Sequence, residues 1–169
     1  MRFEKVSFNS FWKDMCKIDP TFTLGICEKA YEDIRLPRRA SVSSAGYGFV
    51  TPIRFYIAKK SAILIPTGIK CYFSETESKN WHLKLYPRSS LAIRHKIVLS
   101  NCTGVIDADY YNNPENEGDI MLSLFNYGER GLQINAGDKI MQGIFEAYAL
   151  TEDDIANDIR RGGIGSSGR

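Results

Sequence analysis

The hydrophobic pattern of this chain changes period once. Near the start, Phe8, Phe11, Trp12 and Met15 recur at spacings of three and four, which gathers them on one helical face. Ser7 stands just before them, and its hydroxyl can accept from the open N–H groups of a first turn. A short amphipathic helix is therefore expected, with its aromatic face used for packing. Residues 35–44, "RLPRRASVSS", are polar and broken by proline, and read as a linker. From about Tyr47 the period is two. "IRFYIA" (53–58), "SAILI" (61–65) and "IKCYFS" (69–74) are rich in β-branched and aromatic residues, with turn formers between them. In "NWHLKLY", Trp81, Leu83 and Leu85 share one face; in "DIMLSLFN", Ile120, Leu122 and Leu124 do. "KIMQGIFEAY" (139–148) is the last strong strand, entered through the turn "NAGD". Many short strands at turn-separated intervals predict an all-β sandwich or barrel.

Composition narrows the class. The 169 residues suffice for one domain with a real core, and 43% hydrophobic with 25% charged is ordinary for a globular protein. Twenty-two basic against twenty acidic residues leave a net charge of +2, too even for a general nucleic-acid or membrane surface. No apolar run approaches a membrane span, so a cytoplasmic protein is expected. The four cysteines show no C-x-x-C spacing, and with two histidines they read as reduced thiols rather than a zinc site.

Three stretches carry candidate chemistry. In "YPRSSLA" (86–92), Arg88 supplies a fork of donors and Ser89 and Ser90 add hydroxyls and amides; this is an anion cradle or a helix N-cap. In "GVIDADY" (104–110), Asp107 and Asp109 fall on the same side of an extended chain. One could serve as a base, the pair could hold a divalent cation, or both could decorate a hairpin tip. Tyr110 could wall off a ring-shaped substrate. The tail "RRGGIGSSGR" offers backbone amides and fixed positive charge to a phosphate chain, or is simply a mobile end.

In order, "AGYGF" (45–49), "PRSS" (87–90), "GVIDADY" (104–110), "AGDKIMQGIF" (136–145) and "RGGIGSSG" (161–168) resemble the five motifs of the homotrimeric deoxyuridine triphosphatase (dUTPase) family. "IPTGI" (65–69) and "HKIVLSN" (95–101) fit the text between the motifs, so the likeness runs over residues 37–169. It implies a distorted β-barrel or jelly-roll (β-clip) fold and magnesium-assisted hydrolysis of dUTP to dUMP and pyrophosphate. It also implies sites shared by three subunits, with no nucleic-acid, membrane or named protein partner. By position, Asp107 resembles the base that activates water, and Gln142 the amide that orients it. Asn101 and the backbone of Val105, Ile106 and Met121 resemble the uracil slot, and Tyr110 the ring under deoxyribose. Arg88, Ser89 and Ser90 resemble phosphate contacts; Arg161, Ile164, Gly165 and Ser166 belong to a tail that closes over the substrate, with Arg160 as the alternative to Arg161. The expected division is an N-terminal extension (1–36), a β domain (37–155) and the lid (156–169).

The likeness departs at three places. The first motif carries Gly48 where the family has an aspartate that supports metal-bound waters, which implies reduced activity or binding without efficient turnover. Ile164 replaces a stacking phenylalanine. "YNNPENE" (111–117) lengthens the loop after Tyr110, either as a lid or as a longer hairpin tip. A regulatory nucleotide-binding relative and the related dCTP deaminases are the alternatives; the second lacks its catalytic glutamate, since Ser123 stands there.

Overall fold

A computed structural model describes residues 1–156 and Gly162. The chain runs β1 (Arg2–Lys5), α1 (Phe8–Ile18), α2 (Leu24–Glu32), β2 (Arg38–Arg39), β3 (Tyr47–Val50), β4 (Phe55–Ile57), β5 (Ala62–Pro66), β6 (Ile69–Tyr72), β7 (Trp81–Pro87), α3 (Ser89–His95), β8 (Ile97–Leu99), β9 (Gly104–Ile106), β10 (Met121–Asn126), β11 (Leu132–Ile134) and β12 (Lys139–Ala147). The strands form four small antiparallel sheets, ordered β1-β6, β5-β10-β8, β11-β4 and β2-β3-β12-β7-β9. Their inward faces supply one core, with Phe49, Ile57, Ile65, Leu83 and Leu122 almost wholly buried.

The predicted period-two segments become β3 to β7, β10 and β12, and β4, β6, β7 and β10 bury alternate residues. In β10, Leu122 and Leu124 are buried while Met121, Ser123 and Phe125 are half-buried on the opposite face. The expected helix forms with Ser7 as its N-cap, whose hydroxyl accepts from Ser10 N at 3.2 Å. Phe11 and Met15 are fully buried in the same core as the sheets, as their spacing required.

Two elements beyond the expected helix organise the first 36 residues. β1 pairs along its whole length with β6, Arg2 opposite Tyr72 and Lys5 opposite Ile69. α2 is capped by Thr23 and buries Cys27 and Ala30. The polar stretch at 35–44 is also more than a linker, since Arg38 and Arg39 add a short strand to the edge of β3.

A buried acid ties the turn between β5 and β6 to the start of β10. Asp119 is fully buried, and its Oδ1 accepts from Thr67 N (3.2 Å), Thr67 Oγ1 (3.3 Å) and Gly68 N (2.8 Å). Among the described residues its Oδ2 has no hydrogen-bond partner, nor has Oδ2 of the buried Asp14 on α1. Burial, with the Asp14 charge adding to it, pushes the Asp119 carboxyl well above the usual carboxylate range. Asp14 shifts upward too, also through burial, and Lys17 at 2.9 Å opposes the shift. An acid whose folded pKa is raised contributes stability that is complete below the unfolded pKa, near 4, and is lost as pH climbs through the folded value. Asp119→Asn removes that dependence. Its melting temperature relative to the unaltered protein is expected to rise between pH 4 and pH 8 at fixed protein concentration. A difference that stays flat across that range would show that Asp119 is ionised throughout.

Candidate active site

A cavity of about 610 Å³ opens where two sheets part. β8 pairs with β10 as far as Leu99 opposite Leu124, and one further bond, Ser100 N to Ser123 O at 2.9 Å, closes the ladder. The chain then turns, with Cys102 in the left-handed region (φ 62°), and crosses to β7 as β9. Among the described residues β9 pairs with β7 alone, so its outer edge carries backbone donors and acceptors with no strand opposite. That row of alternating groups suits the edge of a planar ring.

Asn101, Val105, Ile106, Tyr110 and Met121 all line this one cavity, so five positions spread over twenty-one residues of sequence converge in space. Its apolar floor comes from Leu64, Leu85 and Leu99. Ser100 and Ser123 also line it, joined Oγ to Oγ at 2.8 Å, and were not foreseen as site residues. The alternation in "DIMLSLFN" could have revealed Ser123, because it shares a face with Met121. Tyr110 is the only titratable side chain among the described lining residues. Its ring is 5% exposed, and its hydroxyl donates to Asp119 O at 2.9 Å.

The expected pairing of Asp107 and Asp109 on an extended chain does not occur. Asp107 is extended (φ −77°, ψ 160°), but residues Ala108–Tyr110 form a 3-10 turn in which Tyr110 N donates to Asp107 O at 3.2 Å. That turn carries Tyr110 into the cavity and leaves both acids exposed. They still share a surface, an open groove lined by Ser78, Asp107, Asp109 and Tyr148.

Arg88 and Ser90 line a third depression with Lys139, Gln133 and His95, and an Arg88 Nη1 atom approaches Lys139 O at 3.4 Å. A helix does begin at "RSS", but Arg88 takes the cap position without a side-chain cap bond, so Ser89 and Ser90 open the first turn instead of capping it. Gln142 lies on β12 between Gly48 of β3 and Tyr86 of β7. A Cβ on Gly46 would meet Gln142 Oε1 at 2.6 Å, so the first motif's glycine makes room for that amide. Gly48 is different: a Cβ there would meet nothing nearer than Arg38 O at 3.7 Å, ordinary contact distance.

One copy of the chain therefore presents three separate surfaces: the cavity, the acidic groove and the arginine depression. Arg160, Arg161, Ile164, Gly165 and Ser166 lie outside the described residues. No helix among the described residues is long and apolar enough to cross a membrane. Among the same residues no three His, Cys, Asp or Glu side chains cluster as a metal cage.

The dUTPase family model matches residues 32–168. The deoxyuridine 5'-triphosphate nucleotidohydrolase of Lactococcus lactis is 36% identical over 137 residues, which covers 80% of this chain and 89% of that protein. The crystal structure of dUTPase from Streptococcus mutans superimposes with a TM-score of 0.68 at 30% identity, covering 90% of this chain and 99% of that one. A mutant dUTPase of phage phi11 of S. aureus, described with a structural Mg(II) ion, shares the fold at a TM-score of 0.61. It is 20% identical and covers 75% of this chain and 92% of that one. With the family model spanning residues 32–168 and a relative 36% identical over most of both chains, the chain belongs to the dUTPase family.

Proposed function

We propose that this chain hydrolyses dUTP to dUMP and pyrophosphate in sites built by three copies. The convergence of Asn101, Val105, Ile106, Tyr110 and Met121 on one cavity is the observation that carries the reading. Asn101 and the open edge of β9 hydrogen-bond the uracil edge; cytosine exchanges donor for acceptor there and leaves buried groups unpaired. The Tyr110 ring packs under the sugar. Asp107 takes a proton from water as its oxygen attacks the α-phosphorus, Gln142 orients that water, and pyrophosphate departs. Arg88, Ser89 and Ser90 hold the phosphates, and the tail residues Arg161, Ile164, Gly165 and Ser166 cover them. Sharing between copies accounts for the separation of cavity, groove and depression on a single chain.

Magnesium, when bound, would offset the phosphate charge. Mg²⁺ keeps much of its water and takes oxygen ligands from phosphates, which suits a surface where Asp107 and Asp109 are the nearby carboxylates and no three-ligand cage exists among the described residues. Gly48 contributes no side-chain oxygen, and the room for a Cβ there makes the consequence testable. Gly48→Asp is expected to raise turnover several-fold at limiting magnesium and little at saturation, read as the magnesium dependence of pyrophosphate release. Equal rates for both forms at limiting magnesium would remove Gly48 from the account.

Gly48 also favours one second reading, a relative that binds dUTP tightly and turns it over weakly. Deamination of dCTP has less support, because the cavity offers no carboxylate among its described lining residues. Pyrophosphate release from dUTP, UTP, dCTP and dTTP, with and without magnesium, separates these readings. Selective release from dUTP supports hydrolysis; tight dUTP binding with background release supports the second reading. Ammonia from dCTP would overturn both.

A further inference from the structure

We propose that Asn116 is a positioning residue that fixes the Tyr110 ring, making the longer loop after the third motif a brace for sugar selection. The proposal rests on Tyr110 acting as the wall beneath deoxyribose. Residues 111–118 neither form a hairpin tip nor extend over the cavity. Asn113 and Asn116 are buried, and the segment folds back beneath Tyr110.

Both ends of Tyr110 are held by this segment. At the ring end, Asn116 Nδ2 donates to the Tyr110 hydroxyl at 3.0 Å and to Asp119 O at 3.1 Å. The hydroxyl in turn donates to that same Asp119 O. At the backbone end, Asn113 Nδ2 donates to Tyr110 O at 2.9 Å. The two amides are fully used. Asn116 Oδ1 accepts from Asn113 Nδ2 (2.8 Å) and Gly118 N (3.1 Å), and Asn113 Oδ1 accepts from Glu115 N (3.0 Å) and Asn116 N (3.2 Å). A primary amide has two donors and about two acceptor sites, so neither side chain can turn without breaking several bonds. The orientation is also determined, because a flipped Asn116 would set its oxygen against Asp119 O.

The brace is itself anchored. Glu117 accepts from Ser7 N (2.9 Å) and Ser7 Oγ (2.6 Å) at the start of α1. Tyr111 donates to Glu4 on β1 at 2.7 Å, and Lys70 on β6 donates to Asn112 Oδ1 at 2.7 Å. Gly118, at φ +84°, closes the segment where a Cβ would meet Tyr110 O at 2.6 Å. A ring held this way cannot yield to an added 2′-hydroxyl, whereas a ring packed by apolar contact alone could tilt.

The test compares kcat/KM for dUTP and UTP in single preparations of the full chain, the unaltered protein beside Asn116→Ala, Tyr110→Phe and the double variant. Taking both substrates on one preparation cancels any difference in active fraction, so loss of stability alone leaves the ratio unmoved. Each single change removes hydrogen bonds worth about a factor of five to ten, and each is expected to lower the dUTP-to-UTP ratio by roughly that factor. The double variant should fall no further than the lower single, since both changes cut the same tether. Tyr110→Phe leaves the loop's own amide bonds intact and keeps the test decisive if Asn116→Ala does not fold. An unchanged ratio in the folded single variants, or additive losses in the double, would overturn the brace. If Tyr110→Ala lowers the ratio while these variants do not, the wall stands and only the brace falls. An unchanged ratio in Tyr110→Ala would remove the wall, and the brace with it.

Discussion

Asp107→Asn is expected to lower dUTP turnover by about a hundredfold to ten-thousandfold, the range a positioned general base contributes, while dUTP affinity shifts less than about threefold. The local structure makes this substitution clean. Asp107 is exposed and heads the 3-10 turn of Ala108–Tyr110, where the turn is closed by its backbone oxygen rather than its side chain. Asparagine is as good as aspartate at the head of a helical turn, so the path of the chain into Tyr110 should survive. What is lost is the oxygen lone pair that would take the proton. Since uracil and sugar are read in the cavity, at a surface separate from the acidic groove, binding has little reason to change. Pyrophosphate release under single-turnover conditions and calorimetric dUTP binding read the two quantities independently. Turnover above a tenth of the unaltered value would be too much for a protein missing its base.

The all-β architecture could be read from the sequence because its strands bury one face each, and alternation is the direct imprint of that burial. Leu83 and Leu85, or Leu122 and Leu124, are legible for this reason. The helix from Phe8 was legible through Ser7 and the aromatic spacing. What escaped was whatever depends on partners distant in sequence. β1 has no strong alternation, and it is a strand because β6 offers it a complete edge. α2 carried a weaker signal, Thr23 followed by Cys27, Ala30 and Tyr31 at helical spacing, and the surrounding charges masked it.

The candidate site divides along the same line. The order of the motifs along the chain points to Val105, Ile106 and Tyr110 of the third motif and to Asn101 and Met121 on either side of it, and these five do meet. The spacing of Asp107 and Asp109 misled, because strand geometry was assumed where the chain turns. The loop at 111–117 was hardest to read. Asn and Pro ordinarily signal a solvated turn, yet Asn113 and Asn116 are buried because their amides find partners within the loop, on Tyr110 and on Asp119 O. A polar residue can enter an interior whenever its hydrogen bonds are complete, and composition cannot reveal that.

Tyr110→Ala is expected to have the other large effect, on stability and on selectivity together. The ring is 5% exposed, so its removal leaves a void beside the cavity and costs about 3 kcal/mol or more, the usual range for deleting a buried aromatic. It also takes from Asn116 Nδ2 the hydroxyl it donates to, leaving that nitrogen only Asp119 O. A lower melting temperature follows. Selectivity should move by a separate route. With the ring gone the floor beneath the sugar is open, and a 2′-hydroxyl meets water or empty space where it had met a rigid face. UTP turnover should therefore rise from near background toward the residual dUTP rate. The dUTP rate itself should fall, because the sugar is no longer held at a fixed height over the attacking water. Both substrates are measured on the same preparation at a temperature well below the variant's melting point, which keeps unfolding out of the ratio. A variant that melts earlier but still refuses UTP would place the sugar elsewhere, and the cavity would then bind the base without choosing the ribose.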